Sequence, residues 1–151
     1  MGLGTYSNLS LDAARSSVYG YAVGIDLTRR DLQAIAKKTG RPWDMGKGFD
    51  LSAPMTSITP ATFWTVGQQK IELKVNGQVK QTSSLDQMIW DVPNMIAELS
   101  KYIVLEQGDL IFTGTPSGVG PVVTGDVMDA TIDGLGALRV VVGPPLSDSK
   151  L

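Results

Sequence analysis

An apolar run from Val18 to Ile25 ends in a single carboxylate, Asp26, and Thr28 then opens a segment carrying Arg29, Arg30, Asp31 and Gln33. No other stretch constrains the chain as strongly. Val18 to Leu27 reads as a buried strand, and Thr28 to Thr39 reads as a helix that Thr28 can cap and that Gly40 and Pro42 stop. A carboxylate at the end of a buried strand is costly unless a cation, hydrogen-bond donors or a metal ion meet it. The charged start of the helix supplies such groups, so this junction is the first place to look for a small-anion or metal site.

The other elements follow from local pattern. Ser10 is a candidate N-cap for a short helix with Leu9, Ala13, Ala14 and Ser17 on one face. Arg41 to Pro54 reads as a long irregular loop, and Met55 to Ile58 as a short strand. Ile71, Leu73 and Val75 alternate with polar residues up to Asn76-Gly77, and Val79 resumes the alternation, which predicts a hairpin with a type I′ turn. Asp91 with Pro93 predicts a capped helix whose apolar face is Met95, Ile96, Leu99 and Ile103. Leu110 to Phe112 reads as a buried strand ending at Thr113, before the glycine-rich loop Gly114 to Gly120. Two strands, Val127 to Ile132 and Ala137 to Val142, close the chain. Strand outweighs helix and no βαβ alternation occurs, so the expected class is α+β with mixed sheets.

Composition removes several kinds of chemistry. With 151 residues, 42% hydrophobic and 19% charged, the chain suits one globular domain, residues 1–151. The net charge of −2, with no long basic stripe, argues against a nucleic-acid partner. No apolar stretch approaches the roughly 18 residues needed to cross a bilayer, so no membrane partner and a cytoplasmic location are expected. There is no cysteine, which removes disulfides, thiolate nucleophiles and zinc–sulfur sites. There is no histidine either, which excludes Ser-His-Asp and Cys-His catalysis and HExxH-type zinc binding. Any metal would be a hard ion held by oxygen, such as Mg²⁺, Mn²⁺ or Ca²⁺.

Three constellations could carry chemistry, and each has a plain structural alternative. Asp26, Arg30 and Asp31 form either a site or ordinary ion pairs, while Arg30 and Gln33, three apart, share a helix face. Lys47, between Gly46 and Gly48, is either a solvated loop lysine or a cation desolvated by Trp43 and Phe49. Thr113-Gly114-Thr115-Pro116-Ser117-Gly118 is either an anion-binding turn or a turn shaped by its glycines. It is not a P-loop, because no Gly-Lys-Ser/Thr follows.

Together these segments resemble the fumarylacetoacetate hydrolase family, in its acylpyruvate and fumarylpyruvate hydrolase branch. The matching stretches are YAVGIDLTRRDLQ, RPWDMGKGFDLSAP, KVNGQVKQTSSLDQMIWDVPNMIAELSKYIVLEQGDLIFTGTPSGVG and GDVMDATIDGLGALRVVV. The resemblance implies strands packed as a β-roll or sandwich with a few short helices. It also implies a metal-dependent hydrolase of aromatic-compound catabolism that cuts a C–C bond in acylpyruvate-type 1,3-dicarbonyl acids, with oxo-acid decarboxylation or isomerisation as alternatives. Asp26 matches a carboxylate ligand of Mg²⁺ or Mn²⁺. Arg30 and Gln33 match residues facing the oxo-acid, Lys47 matches a catalytic lysine beside the bound anion, and Thr113 matches a substrate contact. A homodimer is the assembly the resemblance implies.

The sequence departs from that family in one respect. Members take two further metal ligands from a Glu-x-Glu motif upstream of the segment matching 9–18, and activate water with a His-Glu pair. Here no glutamate precedes Glu72 and no histidine occurs. The chain is therefore expected to be incomplete at its N-terminus relative to the family, with one ligand of three. Two other readings are an inactive remnant serving as a scaffold, and an oligomerising interaction module that pairs its strand edges with another chain.

Overall fold

The Asn76-Gly77 turn organises the largest sheet. Both residues take positive φ, 51° and 77°, as a type I′ turn requires, and they join strands Lys70–Val75 and Gln78–Ser84. The computed structural model describes residues 4–144. In chain order its elements are β1 (Thr5–Tyr6), α1 (Leu11–Ser16), β2 (Gly20–Tyr21), α2 (Arg30–Thr39), α3 (Asp44–Lys47), β3 (Thr59–Pro60), β4 (Lys70–Val75), β5 (Gln78–Ser84), a 3₁₀ turn at Leu85–Gln87, α4 (Val92–Leu99), β6 (Leu105–Glu106), β7 (Val127–Ile132) and β8 (Gly136–Val141). The main sheet runs β5-β4-β7-β8, and β1-β6 and β2-β3 form small sheets of two strands each, all paired antiparallel. Several sheets with a few short helices make an α+β fold.

Alternation decides what each strand buries. On β7, Met128, Ala130 and Ile132 point inward between less buried neighbours. They join Val23, Ile25, Trp64, Val75 and Leu85 in the main core. A smaller core lies between α1 and α4, built from Ala14, Val92, Ile96 and Leu105. Ser100, 1% exposed, ties the start of the chain to the end of α4: its Oγ accepts from Leu9 N at 2.9 Å and donates to Ala97 O at 2.8 Å. Each polar group of that buried serine thereby finds a partner.

Several expectations change. Only Gly20–Tyr21 of the Val18–Leu27 run forms a regular strand, and Met55 contributes a bridge to Gly24 while β3 lies at Thr59–Pro60. The irregular stretch 41–54 contains α3. Thr28 does not cap α2; Arg29 holds the N-cap position with no side-chain bond, and Gly40 closes the helix in the left-handed conformation as expected. On α4 the buried residues are Val92 and Ile96, whereas Leu99 and Ile103 are 36% and 53% exposed. Leu110 and Phe112 are also exposed, and residues 110–122 make no backbone–backbone hydrogen bond among the described residues. An extended apolar segment becomes a strand only beside a partner for its backbone, and among the described residues none pairs with this one. No helix among the described residues is long and apolar enough to cross a membrane.

The caps at Ser10 and Asp91 form as the sequence indicates. Asp91 Oδ1 accepts from the Asn94 N–H and from Asn94 Nδ2, both at 2.8 Å. The backbone hydrogen bond, then the side-chain one, holds the Asp91 carboxyl below its ordinary range. A lowered folded-state value adds stability above the unfolded-state value, and that stability is lost as pH falls through the folded value. Asp91→Ala is thus expected to melt at a lower temperature than the parent at neutral pH. The gap should close below about pH 4, as the cap protonates. Thermal melts of both proteins across that range test this, and a gap that stays constant into acid removes the cap's ionic contribution.

Candidate functional site

The Val23 to Leu27 segment is held by Ser52 to Thr56 through an irregular ladder. Thr56 N donates to Val23 O at 2.9 Å, Ile25 N to Pro54 O at 3.0 Å and Leu27 N to Ser52 O at 2.8 Å. Val23 and Ile25 face the core, so strand alternation turns Gly24 and Asp26 outward. The Asp26 side chain is 52% exposed, and its Oδ2 accepts from Lys47 Nζ at 2.8 Å. The carboxylate avoids the cost of burial by standing at the surface, and a cation meets it there.

Lys47 reaches Asp26 because α3 folds back against α2. Arg29 N donates to Gly46 O at 2.9 Å. A Cβ on Gly46 would stand 3.2 Å from Gln33 N and 3.3 Å from Arg29 O, so only glycine lets the turn sit this close without a shift. Trp43 and Phe49 are not walls around Lys47. Lys37 Nζ stands 5.1 Å from the Trp43 ring centroid, and the Arg29 guanidinium 4.3 Å from that of Phe49, both as cation–π pairs. Lys47 itself is 35% exposed.

Arg30 and Gln33 pair directly: Arg30 Nη1 donates to Gln33 Oε1 at 3.0 Å, with Gln33 buried and Arg30 exposed. The structure thus brings Asp26, Lys47, Arg30 and Gln33 together around the α2–α3 contact. Lys47 gives Asp26 one of three ammonium donors, and Arg30 gives Gln33 one of five guanidinium donors, so both cations keep N–H groups for an anion.

Thr113 stands on another element. No hydrogen bond or ion pair among the described residues joins it to those four. It lines a cavity of about 570 Å³ together with Gly24, Tyr21, Met55 and Trp64. It also lines a second cavity, of about 560 Å³, with Thr82, Ser83 and Trp90. Phe112, next to Thr113, packs over Gly24, two residues before Asp26: a Cβ on Gly24 would lie 2.7 Å from its ring.

Sequence reasoning missed Gln81. It is 8% exposed, and its Nε2 donates to Thr115 Oγ1 at 2.8 Å and Pro116 O at 2.6 Å, holding the glycine-rich loop. No sequence signal separates it from the polar residues around it on β5.

A hard dication takes about six oxygen ligands. Among the described residues no group of three or more His, Cys, Asp or Glu side chains could hold a metal, and Asp26 is already paired with Lys47. These residues alone do not fit a metal ion.

The family described as "Fumarylacetoacetate (FAA) hydrolase C-terminal" matches residues 4–143. A fumarylpyruvate hydrolase of Ralstonia sp is 48% identical over 136 residues, covering 90% of this chain and 71% of that protein. An oxaloacetate tautomerase of Escherichia coli (strain K12) is 42% identical over 122 residues, 80% of this chain and 56% of the relative. The crystal structure of fumarylpyruvate hydrolase from Pseudomonas aeruginosa in complex with Mn²⁺ and pyruvate superposes with a TM-score of 0.90 at 45% identity, covering 95% of this chain and 61% of that one.

Proposed function

The chain belongs to the fumarylacetoacetate hydrolase family, and from that premise we propose that it carries the oxo-acid-holding part of an acylpyruvate C–C hydrolase of the fumarylpyruvate type. The observation that carries the reading is the Lys47–Asp26 contact, which holds a cation with further donors on α3, where α3 packs against the helix that carries Arg30 and Gln33.

In the proposed reaction water adds to the acyl carbonyl carbon, and the bond from that carbon to the adjacent CH₂ breaks. The electron pair stays on the CH₂ carbon as the enolate of pyruvate, which then takes a proton at that carbon; the other product is the carboxylic acid of the acyl group. Arg30, oriented by Gln33, binds the oxo-acid carboxylate. Lys47, oriented by Asp26, stabilises the charge that develops on the enolate oxygen. The Thr113 hydroxyl contacts substrate from the loop. The water-activating base is not a histidine of this chain, because it has none.

Asp26 is proposed as one ligand of Mg²⁺ or Mn²⁺, which requires further oxygen donors beyond the described residues. No step above depends on the ion. Homodimer formation and a role in aromatic-compound breakdown complete the reading. The large apolar side chains left on the surface, Ile89 at 98% exposure among them, support association.

The 42%-identical oxaloacetate tautomerase favours a second reading, keto–enol isomerisation of a related oxo-acid. Both reactions use the same anchoring cations, so substrate decides between them. The test is calorimetric titration with pyruvate, with and without Mn²⁺, followed by turnover assays on fumarylpyruvate and oxaloacetate. Pyruvate binding that tightens with Mn²⁺ in the parent but not in Asp26→Ala is expected. Absence of pyruvate binding overturns the oxo-acid site, and equal Mn²⁺ dependence in Asp26→Ala overturns the ligand assignment. Faster interconversion of oxaloacetate enol without release of pyruvate from fumarylpyruvate would establish the isomerase instead.

A further inference from the structure

We infer that Gln81 is a positioning residue that fixes the Thr113–Gly118 loop, and with it the oxo-acid contact at Thr113. The second half of this inference rests on the proposed function.

Gln81 lies opposite Leu73 in the β4–β5 register, and Leu73 lies opposite Ala130 on β7. Directly opposed residues point to the same face of a sheet, so Gln81 is a side-chain amide on the core face. Burying an amide is unfavourable unless its groups are bonded. Both Nε2 hydrogens are used, and both go to the loop: one to Thr115 Oγ1 at 2.8 Å, the other to Pro116 O at 2.6 Å.

The loop has few other attachments. Residues 110–122 make no backbone–backbone hydrogen bond among the described residues. Two residues beyond Pro116, Gly118 has φ +101° and passes so close to β5 that a Cβ would fall 2.0 Å from Lys80 O. The loop is therefore fastened to adjacent residues of one strand, by an amide clasp at Gln81 and by close backbone contact at Lys80. Thr113 stands two residues before the clasp, on the wall shared by the two cavities.

Two variants test this in the full chain. Gln81→Leu removes both donors at similar size. Gln81→Glu keeps the shape but sets a carboxylate against two oxygen acceptors; in acid its protonated form regains one donor. Limited proteolysis with a protease of broad specificity should cut between residues 113 and 118 about tenfold faster in both variants at neutral pH, roughly the loss of one net hydrogen bond. Cleavage within β4 and β7 should be unchanged. Pyruvate affinity should fall by a similar factor, and in Gln81→Glu alone the deficit should narrow as pH falls and the carboxyl protonates. A loop cut no faster than in the parent, or a rise shared equally by β4 and β7, overturns the positioning role and leaves Gln81 an ordinary core residue. If the parent chain binds no pyruvate, the oxo-acid reading of the site and the link to Thr113 both fall, while loop cleavage still decides whether Gln81 fixes the loop.

Discussion

Lys47→Met is expected to weaken pyruvate binding about a hundredfold while leaving the fold intact, because two charge-assisted hydrogen bonds to an anion contribute roughly 1.5 kcal/mol or more each. Methionine matches the length of the stem and removes only the ammonium. The Asp26 carboxylate, 52% exposed, remains solvated, so the lost pair costs little stability. It also faces the incoming anion without its counter-charge, which adds repulsion to the lost attraction. Lys47→Arg should retain part of the affinity, since the charge persists but the donor geometry changes. Calorimetric titration with pyruvate, with circular-dichroism melts as the folding control, provides the measurement. An affinity within threefold of the parent would falsify the assignment of Lys47 as an anchor.

The second large effect is on stability. Trp64→Ala is expected to cost about 3–5 kcal/mol, a major share of the roughly 5–15 kcal/mol that holds a domain of this size together. Trp64 is 9% exposed and packs with Val23 and Ile25 in the main core. Its ring meets Tyr21 edge-on, with centroids 5.2 Å apart and planes at 62°. Its Nε1 donates to Asp133 O at 3.1 Å, in the turn between β7 and β8. One side chain thus joins the segment that carries Asp26 to the main sheet. Urea unfolding followed by circular dichroism should give a lower midpoint at unchanged slope. Trp64→Phe, which keeps most of the apolar area but leaves the Asp133 carbonyl without this donor, should fall between the two. A loss below about 1 kcal/mol for the alanine variant would remove Trp64 from the core's principal contacts.

Local chemistry was legible in the sequence where a few neighbouring residues settle it. Asn76-Gly77 specified its turn, Ser10 and Asp91 their caps, and Gly40 a helix end, because each depends on backbone groups within a turn of the residue itself. The pairing of Arg30 with Gln33 is likewise a matter of helix spacing. Asp26 and Lys47 could be named separately, as residues whose types suit an anion or metal site. Their contact depends on how α3 folds back on α2, which includes the close approach at Gly46. The two aromatics beside Lys47 were misread for the same reason. Adjacency in sequence does not say which cation each ring meets, and the fold gave them Arg29 and Lys37.

Gln81 shows where the boundary falls. A regular hairpin through Asn76-Gly77 would pair position 81 with Glu72, on the polar face. A register shift between Leu73 and Lys74 instead sets Gln81 opposite Leu73, while Val79, before the shift, keeps its regular place opposite Lys74 and is 50% exposed. Because side chains alternate with a period of two, one displaced residue exchanges the faces of everything after it. The sequence by itself determined the Asn76-Gly77 turn, the caps at Ser10 and Asp91, the residue types around Asp26 and the family. Tertiary structure decided which polar side chain turns inward to hold the loop and which lysine meets Asp26, because both depend on packing between segments that no local pattern encodes.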